Sequence, residues 1–193
     1  MNPDEVIDLI QDHIDEGDVL SDRRVVANTD RERYRDALQT LWDNGVQHIT
    51  TITATDLGEE TEIIYHISFD GIILDLTVEV PNDDLQIPTI TDIYPAAILY
   101  ERELMDLLGI EILNHPDPRT LVLPDDWPKY KHPLKKGQYD YQKVAQLSIS
   151  EIKDIAEDEA FDYQMMLEAE KENQDRKSLK EWLEKQIEKK EEE

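Results

Sequence analysis

Hydrophobic positions recur at helical spacing at the start of the chain. Val6, Ile7, Ile10 and Ile14 define one apolar stripe. Asn2 can cap that helix, with Pro3 at its first position and Glu5 completing a capping box; Gly17 stops it. "RRVVANT" reads as a short strand. A second helix is predicted from Thr29, with Glu32 in the capping-box position, and it presents Tyr34, Ala37, Leu38, Leu41 and Trp42 before Gly45.

The period then changes from 3.6 to 2. "HITTITATD" is rich in β-branched residues, and "EIIYHISF" and "IILDLTVEV" flank Asp70-Gly71, the strongest short hairpin signal. A two-residue turn sets Phe69 opposite Ile72, Ile67 opposite Leu74, Tyr65 opposite Leu76 and Ile63 opposite Val78, with all eight on one face. Asp75, Thr77 and Glu79 fall on the other face, which suits water. One wet face predicts an antiparallel sheet covered by helices on its other side, hence an α+β fold of ferredoxin-like type. "PNDDLQIPTITDIYP" reads as an irregular link with one short edge strand. A third helix is predicted over about 95–108, with Ala97, Tyr100, Leu104, Leu107 and Leu108 inward and Gly109 at the position of a C′ glycine.

From Ile110 to Tyr141 no periodicity survives, and prolines fall at 116, 118, 124, 128 and 133. This predicts an extended segment lying across a surface. Ser148 and Glu151 then open helical sequence with Ile152, Ile155, Ala156, Tyr163, Met166 and Leu167. A polar helix from Ser178 carries Leu179, Trp182, Leu183 and Ile187. The organisation expected is an α+β domain over 1–113, an extended proline-rich partner-wrapping segment over 114–142, and a charged helical extension over 143–193.

Charge narrows the function. The 193 residues include 46 acidic and 20 basic ones, a formal net charge of −26. Such a surface repels nucleic acid and anionic lipid and favours basic protein partners. There is no cysteine, which excludes disulfides, cysteine-held Fe–S clusters and thiolate zinc sites on this chain. No apolar run reaches membrane-spanning length, and the acidic amphipathic N-terminus is unlike a signal peptide. No glycine-rich phosphate loop is present. The expected location is therefore cytosolic, or docked on the cytosolic side of something larger.

From Asp36 through Trp127 there are nineteen acidic residues, Asp36 included, and only two basic ones, Arg102 and Arg119. An arginine fork can hold a carboxylate bidentately. Asp106 stands at i+4 from Arg102; for Arg119 the candidates are Glu101, Glu103, Asp106, Asp125 and Asp126. The two arginines read as pins holding the extended segment on the third helix. Glu101, Glu103 and Asp106 could instead be metal ligands or an acid–base pair, but helical carboxylate sites pair with Glu-x-x-His motifs on other helices, and no second motif exists. His115 and His132 each precede a proline, Pro116 and Pro133. Pro116 and Pro118 break the helix that a zinc pair with Glu111 would need, so turn and partner contacts are expected, with a proton relay as the alternative. Lys129, Lys131, Lys135, Lys136 and Lys143 form a basic patch that either neutralises this chain's own surface or meets a partner.

"ERE", two residues, "DLL", six residues, His115, three residues, Arg119 and then Leu121-Val122 resembles the signature of the C-subunit family of NADH dehydrogenase. Its members are the small cofactor-free subunits of the peripheral arm of respiratory complex I. The likeness continues through Trp127, His132, Pro133, Lys135 and Lys136, and covers roughly 89–136. The family extends to archaeal relatives fed by other donors and to energy-converting membrane-bound nickel–iron hydrogenases. The resemblance implies a scaffold subunit of a membrane-bound electron-transfer complex, peripheral on the cytoplasmic side of the cell membrane. It would have no catalytic residue or cofactor of its own, and would touch the membrane only through other subunits. Its implied partners are the large subunit holding the quinone cavity or nickel–iron site and neighbouring Fe–S subunits, contacted through an irregular tail. "DIYP" and Tyr100 stand where the respiratory branch more often has tryptophans, which favours the hydrogenase branch over NADH- or other-donor quinone reductases. The long charged C-terminal helix departs from the family. The rival reading is a free-standing acidic adaptor recruiting a basic partner through its C-terminal helices.

Overall fold

Asp70 and Gly71 adopt φ of 45° and 80°, the conformation a two-residue hairpin turn demands. Around this turn the computed structural model of the protein, which describes residues 1–137 and 139–191, builds its main sheet. Strands β1 (Glu16–Ser21), β2 (Arg24–Thr29), β3 (Ile49–Asp56), β4 (Glu60–Phe69) and β5 (Ile72–Pro81) assemble in the order β1-β2-β5-β4-β3. The hairpin register is the expected one: Phe69 faces Ile72, Ile67 faces Leu74, Tyr65 faces Leu76 and Ile63 faces Val78. The fold is α+β, a five-stranded sheet with helices on one face.

Three local expectations change. The sheet is mixed, because β2 runs parallel to β5 while the other neighbours are antiparallel. β1 has no apolar alternation and is held at the edge by pairing with β2. Thr29 ends β2 and donates from its hydroxyl to the carbonyl of His13, so it caps no helix. Helix α2 (Tyr34–Asp43) starts later, and Asp30 Oδ1 accepts from the N–H groups of Glu32 and Arg33 ahead of it.

Helix α1 (Pro3–Ile10) has its Asn2–Glu5 capping box, and α3 (Ala97–Leu108) ends on Gly109 at φ 72°. Short parallel strands β6 (Gln86–Pro88) and β7 (Glu111–Leu113) bracket α3. Tyr34, Leu38, Leu41, Ile63, Tyr65, Ile67, Leu74, Leu76, Tyr94 and Leu104 belong to one core between helices and sheet. Each buried aliphatic or aromatic side chain there contributes about 1.5–3 kcal/mol.

The chain divides into Met1–Asp125 and Asp126–Glu193, not at the boundaries expected from proline content. The second unit holds α4 (Tyr141–Val144), α5 (Ile149–Ile155), α6 (Tyr163–Glu172) and α7 (Lys177–Glu191). Its own core includes Tyr139, Tyr141, Val144, Ile152, Phe161, Met166, Leu179 and Leu183. From the segment 114–142, expected to wrap a partner, Tyr139 and Tyr141 join this core and Tyr130 packs against it, while Leu134 stays exposed. Lys131 binds Asp158 at 2.6 Å, and the Trp127 indole donates to the Lys131 carbonyl at 2.7 Å.

Candidate interface site around the third helix

Helix α3 sends its charged side chains in different directions. Glu101 points inward and is 2% exposed. One carboxyl oxygen accepts from the Thr89 hydroxyl at 2.5 Å and the other from the Ile90 N–H at 2.7 Å. Burial pushes this carboxyl up to about 7, against the opposing pull of those two bonds. Thr89 also meets the Thr91 hydroxyl at 2.9 Å. His115 is buried nearby. Its Nδ1 accepts from the Asp117 N–H, which puts the ring proton on Nε2; Nε2 lies 3.1 Å from the Ile98 carbonyl and 3.6 Å from Glu101.

Arg102 and Asp106 do not join each other as the i,i+4 spacing suggests. Both hold the main chain of the extended segment. Arg102 donates to the carbonyls of Arg119 and Thr120, each at 2.8 Å, and its third nitrogen is 3.3 Å from Asp117. Asp106 Oδ2 accepts from the N–H groups of Leu121 and Val122 at 2.8 Å and of Leu123 at 3.3 Å. A cation thus meets carbonyls and an anion meets amides along one strap of chain, 114–125, laid over the helix.

Arg119 is not a pin. Its side chain is 80% exposed and its guanidinium binds Asp117 two residues away, at 2.6 and 2.7 Å. None of its expected acids is its partner; the acid it meets is Asp117, whose carboxyl is held down at about 2 by Arg119 and then by Arg102. Glu103, Pro116 and Asp125 are exposed. The start of the strap, through Asn114 and Pro116, also lines a cleft of about 640 Å³ together with Arg35, Thr89, Asp92, Pro95 and Ile98. Arg35 and Asp92 pair bidentately at its rim.

In the second unit His132 is buried, Trp127 and Pro133 are half-buried, Lys135 is half-buried and Lys136 is exposed. Within the basic patch, Lys131 and Lys143 bind Asp158 and Asp140 of the same unit. Among the described residues no three His, Asp or Glu side chains gather as a metal site.

One polar array was missed from sequence. Across the open face of the sheet, Arg24 holds Asp75 at 2.7 Å, Asp75 meets His66 Nδ1 at 2.6 Å, and His66 Nε2 meets the Thr53 hydroxyl at 2.8 Å. The belt crosses β2, β5, β4 and β3, so Asp75, expected in water, is 5% exposed. The cross-strand opposition of His66 and Asp75 was derivable from the hairpin register.

The site is thus an α+β domain in which charged residues of one helix clasp an extended strap by its main chain. Residues 27–144 match the family described as "Respiratory-chain NADH dehydrogenase, 30 Kd subunit", and the chain belongs to that family. It is 30% identical over 121 residues to "Membrane-bound hydrogenase subunit beta" of Pyrococcus furiosus, covering 60% of this chain and 70% of that one. It is 33% identical over 127 residues to the C subunit of the F(420)H(2) dehydrogenase of Methanosarcina mazei, covering 61% and 80%. Among solved structures, a chain of "the membrane-bound sulfane sulfur reductase (MBS), an archaeal respiratory membrane complex" superposes with a TM-score of 0.64 at 25% identity, covering 74% of this chain and 88% of that one. The chain is thus a complex-I-like oxidoreductase subunit by family. Among its described residues no helix is long and apolar enough to cross a membrane.

Proposed function

We propose that the chain is a non-catalytic scaffold subunit in the peripheral arm of a complex-I-like membrane-bound electron-transfer complex. It packs on the large subunit that holds the quinone cavity or nickel–iron site, on the cytoplasmic side of the membrane, beside Fe–S subunits. A hydrogenase-type complex is the favoured branch, on the Tyr94-Pro95 approach to α3 and the hydrogenase relative. Tyr94 is a core residue there, bonded to the Val46 carbonyl at 2.7 Å and edge-on to Trp42 at 5.1 Å.

The observation that carries the reading is the use made of the signature. Glu101, Arg102, Asp106 and His115 are engaged inside the chain in fixing the strap and the turn before α3. The same strap holds Leu121 and Val122 outward, 41% and 53% exposed. Tagged full-length chain recovered from native membranes tests this. Co-elution with a large subunit and Fe–S subunits in equal amounts is the expected result, and the chain purified alone should be colourless and redox-silent. Nickel in the recovered complex assigns the hydrogenase branch; the same subunits without nickel assign a quinone- or sulfur-reducing one. Recovery of the chain alone would favour the acidic adaptor.

A further inference from the structure

The strap face offers more than an apolar surface. Leu99 is 50% exposed and precedes Arg102 by three residues, so both lie on one side of α3. Arg102 touches the strap at 117–120, and His115 Nε2 reaches the carbonyl of Ile98. Leu99 therefore lies on the side of α3 that carries the strap, about two helical turns from Asp106, where Leu121 and Val122 are fixed by hydrogen bonds.

The electrostatics of that face are one-sided. Residues 1–125 contain 28 acidic side chains, seven arginines and no lysine, whereas residues 126–193 contain 18 acidic and 13 basic ones. Six of the seven arginines are ion-paired inside the first unit: Arg24, Arg31, Arg33, Arg35, Arg102 and Arg119. The two at the strap bind Asp117 and main-chain carbonyls, while Glu103 and Asp125 are exposed beside the apolar residues. Both arginines at the strap are therefore already engaged within the first unit, beside exposed carboxylates.

We infer that the face formed by Leu99, Leu121 and Val122 docks a segment of the large subunit in which apolar side chains are framed by arginine or lysine. This rests on the scaffold reading above. Complementary charge raises the encounter rate and fixes register, while the apolar centre sets the lifetime of the contact.

The test uses the complex prepared without this chain and rebuilt with the purified full chain, following association and dissociation between about 50 and 500 mM KCl. The association rate should fall by about tenfold or more across that range. Glu103→Lys with Asp125→Lys should slow association, and Leu121→Ser with Val122→Ser should speed dissociation, each by about tenfold or more. Glu62→Lys with Glu79→Lys makes the same change in net charge on another face and should leave the rates near wild type. Circular dichroism confirms that each variant is folded. Rebuilding that is indifferent to salt and to the strap variants, or equally sensitive to both lysine pairs, overturns the inference and leaves the scaffold reading standing. Failure of the wild-type chain to enter the complex at any salt overturns the scaffold reading itself.

Discussion

Asp106→Ala should loosen the strap without unfolding the chain. The carboxylate oxygen gathers three main-chain N–H groups, two at 2.8 Å and one at 3.3 Å. A hydrogen bond to a charged group contributes about 1.5–3 kcal/mol net. The long third bond adds little, and water can reach the exposed strap once it opens, so the two short bonds set a loss of about 2–4 kcal/mol. At tenfold per 1.4 kcal/mol, hydrogen exchange at Leu121 and Val122 should accelerate about 30-fold or more. Asp106→Asn keeps an acceptor oxygen but loses the charge, and should give about half the effect. Glu103→Ala, an exposed neighbour on the same helix, should stay within about 0.5 kcal/mol of wild type. Exchange read by mass spectrometry on the intact chain is the suitable assay, because a chain of two units need not melt in one step. Exchange at 121–123 within about twofold of wild type in Asp106→Ala would show that the clasp does not hold the strap.

Glu101 carries a pH signature. Its folded value, about 7, lies above the ordinary value of 4.5, so the folded state binds the extra proton and stability falls as pH rises from about 4.5 to 7, then levels. The wild-type melting temperature minus that of Glu101→Gln should decline over that window; a flat difference refutes the assignment. In the second unit Arg176 donates to both oxygens of Glu170, which is 0% exposed, and to the carbonyls of Ala145 and Leu147. A fragment of residues 126–193 should fold alone, and Arg176→Ala should cost it about 3–5 kcal/mol by stranding a buried charge; an unchanged melt would refute the pairing. The excess of acids in residues 1–125 makes that unit self-repelling, so raising KCl from about 0.1 to 1 M, which shortens the Debye length from about 10 to 3 Å, should raise its melting temperature. A fall would show that screening of its ion pairs dominates instead.

The parts of this molecule legible in its sequence are those with local causes. Asp70-Gly71 and an alternating pattern dictate the β4–β5 register, Asn2 with Glu5 and Ser148 with Glu151 form their capping boxes, and Gly109 ends α3. What escaped was decided by distant or main-chain partners. Arg102 and Asp106 both bind the strap's main chain, and a bond to a carbonyl or an amide leaves no residue-type signature, so their i,i+4 spacing points to a side-chain pair instead. Arg119 was assigned to α3 although the nearest acid, Asp117, was two residues away. β1 lacks any apolar period, and the parallel pairing of β2 with β5 joins segments separated by two other strands and a helix.

That parallel pairing orders the birth of the fold. β5 is the strand between the N-terminal hairpin and the β3–β4 pair, yet it leaves the ribosome after all four. Arg24 waits 51 residues for Asp75. The β4–β5 hairpin closes a two-residue loop and extends to β3 through short connections, whereas joining β2 to β5 closes a loop of some fifty residues at a far larger entropic cost. The three-stranded meander is therefore the early structure, and the first hairpin docks on its free edge last. Pulse-labelled refolding should find the amides of β3–β5 protected before those of β2 that face β5. Until that docking occurs, β5 carries an unpaired edge beside the sheet's apolar face, and the acidic side chains crowded along this half of the chain keep nascent copies apart while the edge waits.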